Sequence, residues 1–321
     1  MELENTQVVF QPKPANKKRK SKRGFSAMHV IMLIFLIIYT FLLFLLLFWG
    51  LMTASKSIHD WIGWGEDPNY AGFPRYWIDD TTGQPAFISN LQRVLRHSTY
   101  TKSDGTEVGI GTMLVNSILY SLGCAFFNTL VPFVTAYACA KYRNPVSKIL
   151  VTTAIVVMSI PIVGSTPAAL LLTYQLNLYN HIWGQWIMKA NYLGVYFLVF
   201  YAAFLSQPKA YHEAAVVDGA SDFAVMTRIA MPLCMGEFGT VLLINFITYW
   251  NDYQTPFIYM PDKPTLAYNT WALMSRMSDA DLSYPPSVIM AAVILLVPVL
   301  VLFLVFQKRL LQNIDIGGIK G

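Results

Sequence analysis

The chain has 321 residues, of which 55% are hydrophobic and 13% charged, and it carries a net charge of +5. Soluble domains carry about 25% charged residues, so this composition excludes an ordinary soluble globule and places most of the chain in a membrane. Three cysteines, Cys124, Cys139 and Cys234, fall in or beside apolar runs and make neither a metal-ligand spacing nor a disulfide framework.

Residues 1–26 read as a basic cytosolic tail, in which Lys13, Lys17, Lys18, Arg19, Lys20, Lys22 and Arg23 precede an apolar run. A basic block in that position is a topology signal and a lipid-headgroup contact rather than a nucleic-acid site. Residues 27–52 are the first transmembrane helix. Within them, Ile31 to Met52 is 22 residues without a charge, where a span needs about 20 and a signal-peptide core only about 7 to 15. Residues 53–112, with Trp61, Trp64, Tyr70, Tyr76 and Trp77, form an extracellular loop.

Residues 113–306 are expected to supply five more helices. The second span, Met113 to Ala140, contains Asn116, Ser117, Asn128, Thr129 and Thr135. Polar groups at membrane depth face other helices or a water-lined path. The third, Ile149 to Leu172, is broken by Pro161, Gly164 and Pro167; the carbonyls freed there need protein or water partners. The fourth runs from Trp186 to Ser206, with Lys189 able to snorkel to the outer interface.

Between the fourth and fifth spans lies a polar stretch, Pro208 to Pro232, inside a loop of residues 207–236. It reads as two short helices with a bend. Gln207 can cap the first and Pro208 suits its first turn. Asp218-Gly219 stops it, because glycine accepts the left-handed conformation. Ser221 or Asp222 can cap the second, which runs through Phe223, Val225, Met226 and Ile229 until Pro232 ends or kinks it. Small residues at the bend let a partner surface approach the backbone. By composition an ordinary loop helix and a docking helix fit equally.

The fifth span runs from Glu237 to about Met260 and contains Thr248, Trp250, Asn251, Asp252 and Gln254. At 1.5 Å per residue, Asp252 lies about 22 Å along the axis from Glu237, in the outer part of the membrane. A carboxylate there faces the bundle interior or a cavity. The sixth span is Ser287 to Phe306, and residues 307–321 are a cytosolic C-terminal tail. Of the Lys and Arg residues, 15 fall on the side of the two tails and the polar stretch, against 8 on the other. The positive-inside rule puts both termini and the stretch in the cytosol.

Glu213-Ala214-Ala215, Asp218-Gly219-Ala220, Ile229 and Pro232, led by Pro208-Lys209, resemble the EAA loop of membrane subunits of binding-protein-dependent ABC importers. Trp250-Asn251-Asp252-Tyr253 with Pro256, the segment Pro85 to Leu95, and the ending Gly317-Gly318-Ile319-Lys320-Gly321 resemble the maltose-type, carbohydrate-uptake branch. The resemblance implies an all-α polytopic membrane protein of six transmembrane helices, the type I importer permease fold, multi-pass in a bacterial cell membrane. It implies that Glu213, Ala214, Ala215, Asp218, Gly219 and Ala220 couple to a cytosolic ATPase, which Gly317, Gly318, Lys320 and Gly321 also contact. It further implies a second homologous permease, two ATPase subunits and an extracellular solute-binding protein as partners.

Thr248, Trp250, Asn251, Asp252 and Gln254 are the candidates for lining the pore; helix–helix hydrogen bonding is the other role open to them. The loop aromatics can stack on sugar rings, pack the loop or sit at the interface. The chain has no Walker-type phosphate loop, no catalytic triad and no metal cluster. It is therefore expected to be a transport subunit rather than an enzyme, with no cofactor of its own and with ATP and magnesium held by the ATPases. A permease for a polyol or glycerophosphodiester is the alternative within the class. An ion-coupled secondary transporter is the alternative outside it; such a carrier would be expected to show an ionisable relay or repeat-related broken helices.

Overall fold

Among the residues from Ala27 to Ala54 there is no charge and no proline, so nothing interrupts an α-helix, and α1 fills the whole stretch. Its side chains from Met28 to Trp49 are exposed, and its 28 residues reach about 42 Å. The computed structural model describes residues 27–57, 59–60, 72–142, 144–160, 164–275 and 285–314. The chain separates into two units, Met1–Trp49 and Gly50–Gly321.

The second unit is built on α3 (Ile110–Lys141), 32 residues long. It follows an amphipathic α2 (Ala86–His97) and an antiparallel hairpin, β1 (Thr99–Thr101) and β2 (Glu107–Gly109), in which Tyr100 pairs with Val108. The hairpin departs from the all-α expectation. Its turn is made by Asp104, whose carboxylate accepts from the Thr106 N–H and hydroxyl, and by Gly105 at φ 81°. Beyond α3 come α4 (Pro145–Ser159), α5 (Thr166–Gln175), α6 (Ile182–Lys189) and α7 (Val195–Ser206). Then follow α8 (Lys209–Val217), α9 (Asp222–Leu233), α10 (Met235–Trp250), α11 (Gln254–Tyr259), α12 (Leu266–Ser275) and α13 (Pro285–Ile314).

α3 is the central element because α6, α7 and α10 all pack on it. One core cluster centres on Phe133, whose ring lies 5.0 Å from those of Phe200, Phe204 and Phe238. A second joins Tyr120, Cys124, Phe246, Tyr249 and Trp250. At Gly123, α3 lets an indole in: a Cβ there would stand 2.0 Å from Trp186 Nε1, which donates to the Leu119 carbonyl at 3.1 Å. A third cluster places Val94 of α2 against Ala54, Met290 and Ala291, and Asn90 of α2 donates to the carbonyls of Ala54 and Lys56, both at 2.9 Å.

Among the described residues, three helices are long and apolar enough to cross a membrane: Met28–Ala54, Ile110–Lys141 and Pro285–Phe306. The pair Asp222–Leu233 and Met235–Trp250, bent by 70°, makes a fourth if read as one span. The expected third span is two helices, α4 and α5, with Gly164 at φ 81° before α5; Pro161 lies outside the described residues. The expected fourth is also two, α6 and α7, separated at Gly194 with φ 150°. The expected fifth ends as a regular helix at Trp250 and resumes as α11. The basic tail and Trp61, Trp64 and Tyr70 fall outside the described residues.

Candidate functional site

The polar stretch folds as α8, a turn and α9. α8 ends in a Schellman motif: Ala220 N–H donates to the Ala215 carbonyl at 2.9 Å and Gly219 N–H to Val216 at 3.0 Å. That closure needs a left-handed residue, and Gly219 supplies it at φ 78°. Ser221 then caps α9, its hydroxyl accepting from Ala224 N–H at 3.3 Å. Gln207 does not cap α8 as expected. Pro208 holds the cap position, and the Gln207 amide reaches instead to the Ala230 carbonyl at 2.9 Å and Cys234 Sγ at 3.1 Å. Within α9 the residues Met226–Ala230 form a π-turn, and Pro232 follows just before the 70° bend.

The six sequence-predicted coupling residues lie on this one short element and its turn. Glu213, Ala214, Asp218 and Gly219 are exposed, Ala220 is half-buried and Ala215 is buried. Beside them Val217 is 86% and Phe223 70% exposed, an apolar surface next to the Glu213 carboxylate.

Sequence reasoning missed what holds this stretch. Lys141, the last residue of α3, places its ammonium 2.6 Å from Asp222 Oδ1, and Tyr142 OH donates to Asp222 Oδ2 at 3.0 Å. Lys141 also stands over the rings of Tyr137 and Tyr142, at 5.9 and 5.0 Å. Hydrogen bonds from Lys141, foremost, and from Tyr142 hold the Asp222 carboxyl below the usual range. Behind α8 lies a cavity of about 390 Å³, walled by Tyr137 and Lys141 of α3, Phe204 of α7, Tyr211 and His212 of α8 and Ile229 of α9.

The pore candidates do not share one environment. Asp252 is half-buried: Oδ2 accepts from Tyr120 OH of α3 at 2.8 Å, and Oδ1 accepts the Thr255 N–H at 3.0 Å, which starts α11. Trp250 is buried, and its indole donates to the Leu295 carbonyl of α13 at 3.0 Å. Thr248 and Asn251 are exposed and bond to carbonyls of their own helix, Ile244 and Ile247. Gln254 is exposed. One turn deeper, Asn245 joins the set: its amide donates to Thr129 Oγ1 at 2.9 Å and its oxygen accepts from Asn128 at 3.1 Å. Lys189, at the end of α6, sits with its ammonium 5.6 Å from the Tyr249 ring centre.

At the opposite end of α3 from the Lys141 contact, Asp262 ties three loops. It accepts from the Ser103 N–H at 2.8 Å, from its hydroxyl at 2.7 Å and from Asn180 Nδ2 at 2.7 Å. The Ser103 N–H is the main cause of an Asp262 carboxyl held below its ordinary value, against a burial effect in the other direction. Asp79 gathers Ser89, Thr81 and Arg93 in the same way: burial pushes its carboxyl up, and the Ser89 and Thr81 hydrogen bonds and the Arg93 charge together bring it down. Among the described residues no group of His, Cys, Asp and Glu is arranged to hold a metal ion. Gly317, Gly318, Lys320 and Gly321 lie outside the described residues.

Comparison with known proteins gives three findings. The model of a family described as "Binding-protein-dependent transport system inner membrane component" matches residues 129–315. The arabinooligosaccharides transport system permease protein AraQ of Bacillus subtilis (strain 168) is 25% identical over 286 residues, 89% of this chain and 92% of that protein. A chain of a bacterial ABC transporter involved in the import of the acidic polysaccharide alginate superposes with a TM-score of 0.64 at 19% identity, over 89% of this chain and 98% of that one.

Proposed function

The chain belongs to the family of binding-protein-dependent transport system inner membrane components, and from that premise we propose that it is the permease subunit through which an ATP-driven importer moves a sugar or oligosaccharide into a bacterial cell. The observation that carries the reading is α8: a short helix with an exposed Glu213, small residues at the turn and a Schellman closure at Gly219. The carbohydrate solute is supported by the arabinooligosaccharides named for AraQ and by the Trp250-Asn251-Asp252-Tyr253 stretch.

In this reading six spans cross the inner membrane, with α4–α5, α6–α7 and α10–α11 each crossing as a broken helix, and both termini are cytosolic. Grouping by contact supports the sidedness. Asp262 gathers segments from the loops assigned to the outside, and Lys141 and Asp222 join segments assigned to the cytosol. Two ATPase subunits hold ATP and magnesium, and their closure moves Glu213 to Ala220. A second permease completes the pore, and an extracellular binding protein delivers the solute. Asp252, Asn251, Thr248 and Gln254 border the path, and Trp250 secures α10 to α13.

Purification of tagged chain from membranes in mild detergent, followed by mass spectrometry, tests this. The expected result is co-purification of a Walker-motif ATPase and a second polytopic permease. A homo-oligomer alone, in material crosslinked before extraction, overturns the reading.

A further inference from the structure

We propose that the Lys141–Asp222–Tyr142 contact is the linkage that passes movement of the coupling segment into α3. The inference rests on the permease reading above. Two features of the second unit carry it. First, α8 and α9 both border the 390 Å³ cavity, and α9 carries the side-chain contact that ties this segment to α3, Asp222 to Lys141 and Tyr142. A segment that borders open space can shift with little repacking, and one held by an ion pair and a hydrogen bond takes its partner along. Second, the gripping residue, Lys141, is the last of α3, which bonds along its length to the other polar positions. Asn128 and Thr129 meet Asn245, and Tyr120 meets Asp252.

The contact is built for load. The Lys141 side chain is 13% exposed and the Asp222 side chain 61%, so a largely covered lysine side chain meets a carboxylate presented from outside. Tyr142 takes the second carboxylate oxygen, which fixes its orientation. Asp222 lies in the first turn of α9, where the helix end favours a negative charge. The grip on α9 has a second point, Gln207 on the Ala230 carbonyl, at the end of α7. When α8 moves, α9 is therefore constrained to carry α3 rather than swing free at the 70° bend. Lys141, Tyr142 and Asp222 are positioning residues in this scheme; none touches solute.

The test uses the whole complex in nanodiscs, with ATP and vanadate as the probe, so no transported solute is needed. Spin labels at residues 217, 134 and 274 sit at exposed positions on α8, α3 and α12. In the wild type, trapping with vanadate is expected to change both the 217–274 and the 134–274 distances. Asp222→Ala is expected to keep the first change and lose at least half of the second, and Asp222→Glu to recover it. Both changes persisting in Asp222→Ala overturns the linkage. Should Asp222→Ala fail to assemble, Tyr142→Phe, which removes one hydrogen bond and no charge, decides by the same distances. A wild-type chain that brings down no ATPase overturns the permease reading, whereas an intact complex with unchanged α3 movement overturns the linkage alone.

Discussion

Single residues decide how the turn between α8 and α9 and the buried polar set are made. At Gly219 the backbone sits at φ 78°, where a side chain costs about 1–2 kcal/mol. Gly219→Ala is therefore expected to weaken the turn by about that amount and to leave measurable transport. Gly219→Pro cannot reach the angle and removes the N–H that closes on Val216. It is expected to abolish uptake while the protein still inserts, measured by transport in cells against membrane-fraction immunoblots; normal uptake ends the coupling role. Asp252 acts through Tyr120, whose side chain is fully buried. Asp252→Ala removes the acceptor of that hydroxyl, at about 1–3 kcal/mol, and is expected to lower the unfolding temperature of the detergent-solubilised complex and impair uptake without releasing the ATPase. Asp252→Asn keeps an acceptor and is expected to recover most of the stability.

Elements differ in how far composition alone reveals them. α1, α3 and α13 were legible because each is an unbroken apolar run longer than a bilayer is thick. α5, α6 and α7 have 10, 8 and 12 residues, so no hydropathy window can place their ends. The hairpin did leave a signal, the Asp104-Gly105 pair in its turn. The two-helix form of the polar stretch was legible apart from the Gln207 cap, since the glycine stop and serine cap are local signals. Its anchor was not: Lys141 and Asp222 stand 81 positions apart, and Ser103 and Asp262 159 apart, and charge patterns carry no pairing over such separations. The α3–α6 seam tests the packing at this scale. Gly123→Ala places a methyl into Trp186 and is expected to cost about 1–3 kcal/mol, read as a lower unfolding temperature. Replacing Trp186 by a smaller apolar residue in the same chain should return part of that loss.

At the whole-molecule scale the contacts beyond the two ends of α3 differ in chemistry: among the described residues Asp262 accepts hydrogen bonds from the neutral Ser103 and Asn180, and Asp222 from a cation as well. The Asp262 carboxyl has a folded-state value below its ordinary 3.8, so its contribution is complete above that pH and is lost as pH falls through the lower folded value. Thermal unfolding measured between pH 5 and 3 should therefore fall more steeply for the wild type than for Asp262→Asn; equal slopes remove Asp262 from the acid response. The polar ladder on α3 also dictates an order of biogenesis. Tyr120, Asn128 and Thr129 find their partners 116 to 132 positions later in the chain. Until α10 is made, the Tyr120 hydroxyl and the Asn128 amide therefore lack these partners, whereas the Thr129 hydroxyl already donates to the Ala125 carbonyl of its own helix. A chain truncated before α10 therefore carries on α3 a polar face that the finished protein covers, and the arrival of α10 is the step that closes it.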